Sequence, residues 1–302
     1  MDKNICAPNK YDSKNQTCFS TMQLMEMAKA YNRYVTKYNL SPEQKHEIGG
    51  TGLIKIKDNK RYLLDELLNR FDTICSGNEV CLTEQAFMNE VVKEIRSEVN
   101  DHTFRAEGPK NSNEWLSTVD INNILKQYEI LYSDFEFLGA VPLNCDELSF
   151  CSLYKLDFDN YLKKGINKVA IVFNHDKYGE SGSHWVTLYI DIAAGEIYYC
   201  DSTGKEPIGN INQIIKNFLE YYKKKTGSDA IYKHNTKPYQ KDSSECGIYS
   251  CNFVIRKLAG ETFEQIINSS LNFQQINSCR NAYFRNKTSK HNPHDKCDPI
   301  IY

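Results

Sequence analysis

No run in this chain approaches the roughly 20 consecutive apolar residues needed to cross a bilayer. Its opening stretch, MDKNICAPNKYDSKN, is polar and has no apolar core of the kind that drives secretion. Both absences lead to the expectation of a protein kept in the reducing compartment where it is made. Charge of one sign is missing as well. With 37 basic against 39 acidic side chains and a net charge of −2, no global field draws the molecule onto nucleic acid or anionic lipid. CxxC does not occur, which argues against a zinc knuckle or a thioredoxin-like site. There is no internal repeat, so a solenoid is excluded. Tryptophan is scarce, with only Trp115 and Trp185.

What the chain does contain is apolar and aromatic mass. Hydrophobic residues make up 40%, aromatics 12%, and there are 20 tyrosines among 302 residues. That is enough for a substantial core and suggests two domains, or one catalytic domain with an extension. The eleven cysteines, at 6, 18, 75, 81, 145, 151, 200, 246, 251, 279 and 297, are expected to be thiols in a reducing compartment.

Residues 17–38 carry apolar positions at three- and four-residue steps behind Ser20 or Thr21, which predicts a helix. Residues 61–71 and 83–99 predict two more, so residues 1–100 are read as a helical N-terminal domain. Residues 101–113, polar and containing Gly108-Pro109, are read as a linker. Residues 114–285 form the second domain, opened by a helix with a start signal at Ser117 or Thr118 and a stripe of Ile121, Leu125 and Tyr128. FEFLGAVPL and a polar connection follow. KVAIVFN then reads as a buried strand, and HWVTLYIDI and IYYCDS as a hairpin joined by AAGE. Residues 207–222 read as a helix and DAIYKHN as a fourth strand. Cys246 opens an apolar helix that Gly260 ends. Residues 286–302 are read as a polar tail.

The chemistry concentrates at the start of that last helix. A cysteine attacks only as thiolate, and a helix N-terminus lowers thiol pKa. Cys246 stands at such a position. His184, at the head of a strand, can project from the sheet edge toward it and form a thiolate–imidazolium pair. The ring's other nitrogen needs an orienting partner. In a hairpin closed by AAGE the residue opposite His184 falls near 200–202, so Asp201 is available. The Cys246 backbone N–H and the Gln240 side-chain amide can hold an oxyanion. The bland alternatives are a small core cysteine at 246, a surface histidine at 184 and a turn-forming aspartate at 201.

GSHWVTLYID, IYYCDSTG and Gln240 followed by SECGIYSCNF resemble the motifs of the adenovirus-proteinase/SUMO-deconjugating cysteine peptidases (clan CE). EWLSTVDINNIL resembles the Trp-Leu helix that opens that family's catalytic domain. The resemblance implies an α+β fold: a papain-like cysteine peptidase core with a central mixed sheet and helices, preceded here by a helical domain. It implies catalytic roles for Cys246, His184 and Asp201, an oxyanion role for Gln240, and a narrow tunnel between Trp115 and Trp185 that admits Gly-Gly substrates. The N-terminal residues and WLSTVDINNILKQYE…FEFLGAVPL are similar to the large-DNA-virus branch. That likeness implies an endopeptidase of virion precursors acting after Gly-Gly; with no secretion signal it is expected in host cytoplasm or virion, and no cofactor is read from the sequence. The alternatives are a SUMO or ubiquitin-like modifier protease, a catalytically dead binding relative, or an acetyltransferase using the same triad.

Three further features are weighed. Gly49-Gly50 is read as a flexible turn, with self-cleavage as the sharper hypothesis. His291, His294 and Cys297 have metal-like spacing but no fourth ligand, and no metal is expected. Lys223 to Lys225, together with Arg280, Arg285, Lys287 and Lys290 around Tyr283 and Phe284, are read as solvated surface with weak nucleic-acid association as the second hypothesis.

Overall fold

The computed structural model describes residues 5–38, 44, 52–149, 151, 153–241 and 244–299. Pro42 and the Gly49-Gly50 pair lie outside them. The chain divides into two compact units, Met1–Arg105 and Ala106–Tyr302.

In the first unit, helix α1 (Thr21–Lys37) begins with a capping box. The Ser20 hydroxyl accepts the Gln23 N–H while the Gln23 side chain accepts the Ser20 N–H. Thr17, expected inside the helix, instead donates its hydroxyl to buried Glu79 at 2.6 Å. Leu24, Met27, Ala28 and Tyr31 form the inner face of α1 and join Leu63, Leu64 and Leu67 of α2 (Lys60–Arg70) in one core with Phe71 and Phe87. The single helix expected over residues 83–99 is three pieces: Glu79–Thr83, a 3-10 turn Ala86–Glu90, and α3 (Lys93–His102). Gln85, Val91 and Val92 are extended between them. The β-branched pair resists helical backbone, and the break lets Phe87 and Met88 turn inward.

The second unit is built on a mixed five-stranded sheet. Its strands are β1 (Phe135–Pro142), β2 (Lys168–Asn174), β3 (Trp185–Asp191), β4 (Glu196–Cys200) and β5 (Ile231–His234), in that spatial order. β3 is antiparallel to both β2 and β4, and each edge strand is parallel to its neighbour. Helices α4 (Thr118–Leu131), α5 (Asn210–Thr226) and α6 (Cys246–Leu258) cover it. Ala170, Val172, Tyr189 and Tyr198 lie in the core shared with α4 and α6, whereas Val169, Ile171, Leu188, Ile190 and Ile197 share a core with α5. Burial on both faces explains why these strands read as continuous apolar runs. β1 was not anticipated as a strand. Its edge is closed by α4 side chains, with Glu129 accepting the Phe137 N–H and Asn122 accepting the Ala140 N–H.

Three expectations are corrected. Residues 286–299 are not a loose tail. Tyr283 donates its hydroxyl to the Cys297 carbonyl at 2.6 Å, Asn252 donates to the Lys296 carbonyl at 2.8 Å, and the Tyr128 hydroxyl bonds buried Asp298. These bonds run between side chains and distant backbone, which no periodicity shows. Residues 101–113 are not free chain either. Asp101 and His102 complete α3, and Gly108 donates its N–H to Asn286 at 2.6 Å. Eight cysteines are not thiols. Cys6–Cys18, Cys75–Cys81, Cys145–Cys151 and Cys279–Cys297 are disulfides, with Cα separations of 5.2, 5.4, 5.5 and 5.0 Å. The fold brings these short-range pairs within bridging reach, which composition alone could not foresee. Cys200, Cys246 and Cys251 are free.

Candidate active site

Cys246 is the first residue of α6 and is 2% exposed. Glu245 before it makes no side-chain cap, so amides of the first turn stay directed at the thiol's surroundings. Gly247 follows for a steric reason. A Cβ there would stand 3.0 Å from the Cβ of Leu116, so glycine lets the helix start press against the segment carrying Trp115.

His184 immediately precedes β3, and its carbonyl accepts the His175 N–H at 2.9 Å. Its Nε2 donates to Asp201 Oδ1 at 2.7 Å, and the Cys246 side chain is near enough to the same ring to raise its pKa. The imidazole therefore couples to both sulfur and carboxylate. Burial pushes its pKa down, but Asp201 and Cys246 more than offset that and lift it to about 9. At neutral pH the ring is an imidazolium, the state that pairs with a thiolate. The His175 ring packs edge-on to it, centroids 5.1 Å apart. Burial and the neighbouring His184 charge hold His175 below its ordinary pKa.

Asp201 is fully buried one residue past β4. Thr187 pairs with Cys200, and continuing that register puts Thr203 opposite His184, one place beyond the expected span. Asp201 meets the ring diagonally, on the same face. Its Oδ1 also accepts the Thr203 N–H at 2.7 Å and the Thr203 hydroxyl at 2.8 Å. Burial works against the carboxylate, yet His184 and Thr203 outweigh it and hold its pKa below the usual range. Asn235 fixes the backbone here, accepting the Asp201 N–H at 3.0 Å and donating to its carbonyl at 2.6 Å.

Gln240 is docked to Ser202. Its N–H donates to the Ser202 carbonyl at 3.0 Å, and the Ser202 hydroxyl donates to Gln240 Oε1 at 2.5 Å. With the amide oxygen committed, the amide's donor end is the one presented elsewhere. Trp185 is 6% exposed and donates Nε1–H to the Leu116 carbonyl at 2.9 Å, whereas Trp115 is 44% exposed. Both indoles line a cleft of about 370 Å³ together with Leu116, Asn174, Tyr178 and Gly182.

The fold thus gathers His184, Asp201 and Cys246, ties Trp185 to the residue beside Trp115, and anchors Gln240 next to Asp201. Thr203, Asn235 and Ser202 were not singled out from sequence. Thr203 and Ser202 had a signal in the turn DST, and Asn235 had none. The other candidates dissolve into structure. Arg280, Tyr283 and Phe284 are buried, so they form no basic-aromatic surface. Cys297 is bridged to Cys279, and His294 accepts the Lys296 N–H, which accounts for the HNPHDKC spacing without a metal. Cys251 is buried in the core and burial raises its thiol pKa.

A thiol at a helix start, bridged by an imidazole to a carboxylate beside a mixed sheet, is the arrangement of a papain-like cysteine peptidase. The comparisons take this further. Residues 165–291 match the C-terminal catalytic domain of the Ulp1 protease family. A putative thiol protease of Acanthamoeba polyphaga mimivirus is 54% identical over 98% of both chains. The SUMO-1 cysteine protease of African swine fever virus is 21% identical over 74% of this chain and 88% of its own length. The crystal structure of an African swine fever virus protease superposes over 94% of this chain and 96% of that one, with a TM-score of 0.60 and 17% identity. The chain belongs to the Ulp1 family of cysteine proteases.

Proposed function

We propose that the protein is a cysteine endopeptidase that cleaves after Gly-Gly sequences, with Cys246 as nucleophile, His184 as its general base and acid, and Asp201 as the orienting carboxylate. The thiolate attacks the scissile carbonyl. Oxygen charge develops against the Cys246 N–H and the Gln240 amide. The C–N bond breaks as His184 gives its proton to the leaving amine, and a thioester remains. Water, deprotonated by the now neutral His184, then releases the acid and restores the thiolate–imidazolium pair. Trp115 and Trp185 would flank the residues before the scissile bond as a steric filter that side chains larger than glycine's do not pass.

The observation that carries this reading is the His184 ring bonded to Asp201 at 2.7 Å with Cys246, at the start of α6, acting on the same ring. The near full-length likeness to a mimivirus thiol protease supports the protease activity; virion precursor proteins as its substrates, met in host cytoplasm or virion, are part of the proposal. A second reading, removal of a ubiquitin-like modifier, is favoured by the name of the African swine fever virus relative. Identification of new protein termini produced by active enzyme but not by Cys246→Ala, with parallel assays on Gly-Gly-Xaa peptides and ubiquitin-like fluorogenic substrates, separates the two. Termini without preceding Gly-Gly would overturn the specificity.

A further inference from the structure

Trp115 is a half-exposed indole on an irregular segment, and such a side chain has no core to hold it. Its position is set through its neighbours. The carbonyl after it, on Leu116, accepts the indole N–H of Trp185. The carbonyl before it, on Glu114, accepts a hydrogen bond from Arg280 Nη2 at 2.7 Å. That same nitrogen bonds the Glu245 carboxylate at 3.2 Å and 3.3 Å. Both side chains of the pair are essentially inaccessible to solvent, and Glu245 is the residue before Cys246. Asn277 repeats the pattern, donating to the Ser112 carbonyl at 2.7 Å and to Glu245 Oε1 at 3.1 Å.

We infer that Arg280 is a positioning residue for substrate selection: one buried guanidinium nitrogen ties the backbone beneath Trp115 to the carboxylate beside the nucleophile and so sets the gap between indole and thiol. The inference rests on the glycine filter proposed above for its consequence in specificity, but not for its geometry. A buried ion pair is a poor source of net stability, whereas it is directional, and here it joins two segments more than 120 residues apart in sequence. Among the described residues all of its bonds use a single nitrogen, so an ammonium can replace part of it and a methyl group cannot.

The test uses the full chain with both tryptophans replaced by 5-fluorotryptophan. Two fluorine resonances result, assigned with Trp115→Phe. Arg280→Met should shift or broaden the Trp115 resonance and leave that of Trp185 in place. Arg280→Lys should move it back toward its native position. In peptide cleavage, Arg280→Met should raise KM more than it lowers kcat. It should also cut the preference for Gly-Gly over Ala-Gly by about tenfold, with partial rescue in Arg280→Lys. Arg280→Met strands a buried carboxylate, so Arg280→Met/Glu245→Gln is measured beside it to keep a folded variant in hand. An unmoved Trp115 resonance in the folded double variant overturns the inference. A wild-type enzyme indifferent to alanine before the scissile bond overturns the glycine filter instead, while the fluorine spectrum still decides whether Arg280 holds Trp115.

Discussion

Residues 184–203 and residues 270–299 both reach the neighbourhood of the nucleophile, and they do so by different physics. The first is a hairpin whose register places His184 and Asp201 on one face. Its pairings are local, repeated and backbone-driven. The second is short helices, Phe273–Ser278 and Arg280–Tyr283, held by a disulfide and by side chains that find backbone more than a hundred residues away. The hairpin supplies groups that handle protons. The closing segment supplies none, but it fixes where those groups and the substrate walls stand. A site can therefore keep its chemistry on a rigid local motif while entrusting its geometry to a late, irregular part of the chain.

That contrast can be broken by substitution. Cys246→Ala and His184→Ala should each lower kcat by on the order of 10⁴-fold or more; Cys246→Ala should unfold close to wild type, whereas His184→Ala strands the buried Asp201 carboxylate and should unfold at a lower temperature. Wild-type turnover in the histidine variant would remove the hairpin from the mechanism. Asp201→Asn should cost about 10²- to 10⁴-fold, because the ring keeps its place but loses its charge partner. The pH profile sharpens the same point. His184 has a folded-state pKa raised to about 9, so its stabilising contribution is fully present below its ordinary value and is lost as pH rises through about 9. The rate kcat/KM should fall on that basic limb, and in Asp201→Asn the limb should move to lower pH. An unmoved limb would mean that another group titrates. Gln240→Ala should lower kcat by about 10²- to 10³-fold with little change in KM, and Ser202→Ala should cost less, since the amide loses its tether but not its donor. Where α4 meets the closing segment, Tyr128→Phe removes the hydroxyl bonded to Asp298. It should lower unfolding free energy by about 1–3 kcal/mol in urea and leave kcat unchanged. A large kcat loss there would erase the distinction between the two regions.

How much of this was readable beforehand follows the same division. β2, β3 and β4 were legible because two covered faces demand apolar runs and AAGE marks the turn. His184 and Cys246 could be placed because each opens an element and Asp201 because it follows a strand end, whereas Gln240, in the loop between β5 and α6, was placed only by the order of the motifs. β1 was not legible, since Gly139 and Pro142 interrupt FEFLGAVPL and its ladder ends on α4 side chains. Arg280 read as a surface charge because nothing local announces that Glu245 will neutralise it. The short helices after 270 span too few residues to display a helical period. The disulfides escaped because compartment was taken as the guide to cysteine state, whereas the pairing depends on distances that only the folded chain sets.

The disposition of sulfur has a practical corollary. Eight of the eleven cysteines are oxidised in pairs, and of the three remaining, burial pushes Cys200 up to about 12 and Cys251 higher still. An electrophilic warhead such as a vinyl sulfone therefore meets a single competent target near neutral pH. Adduct mass should saturate at one equivalent per chain, so the label counts correctly assembled molecules in any preparation without reference to a substrate.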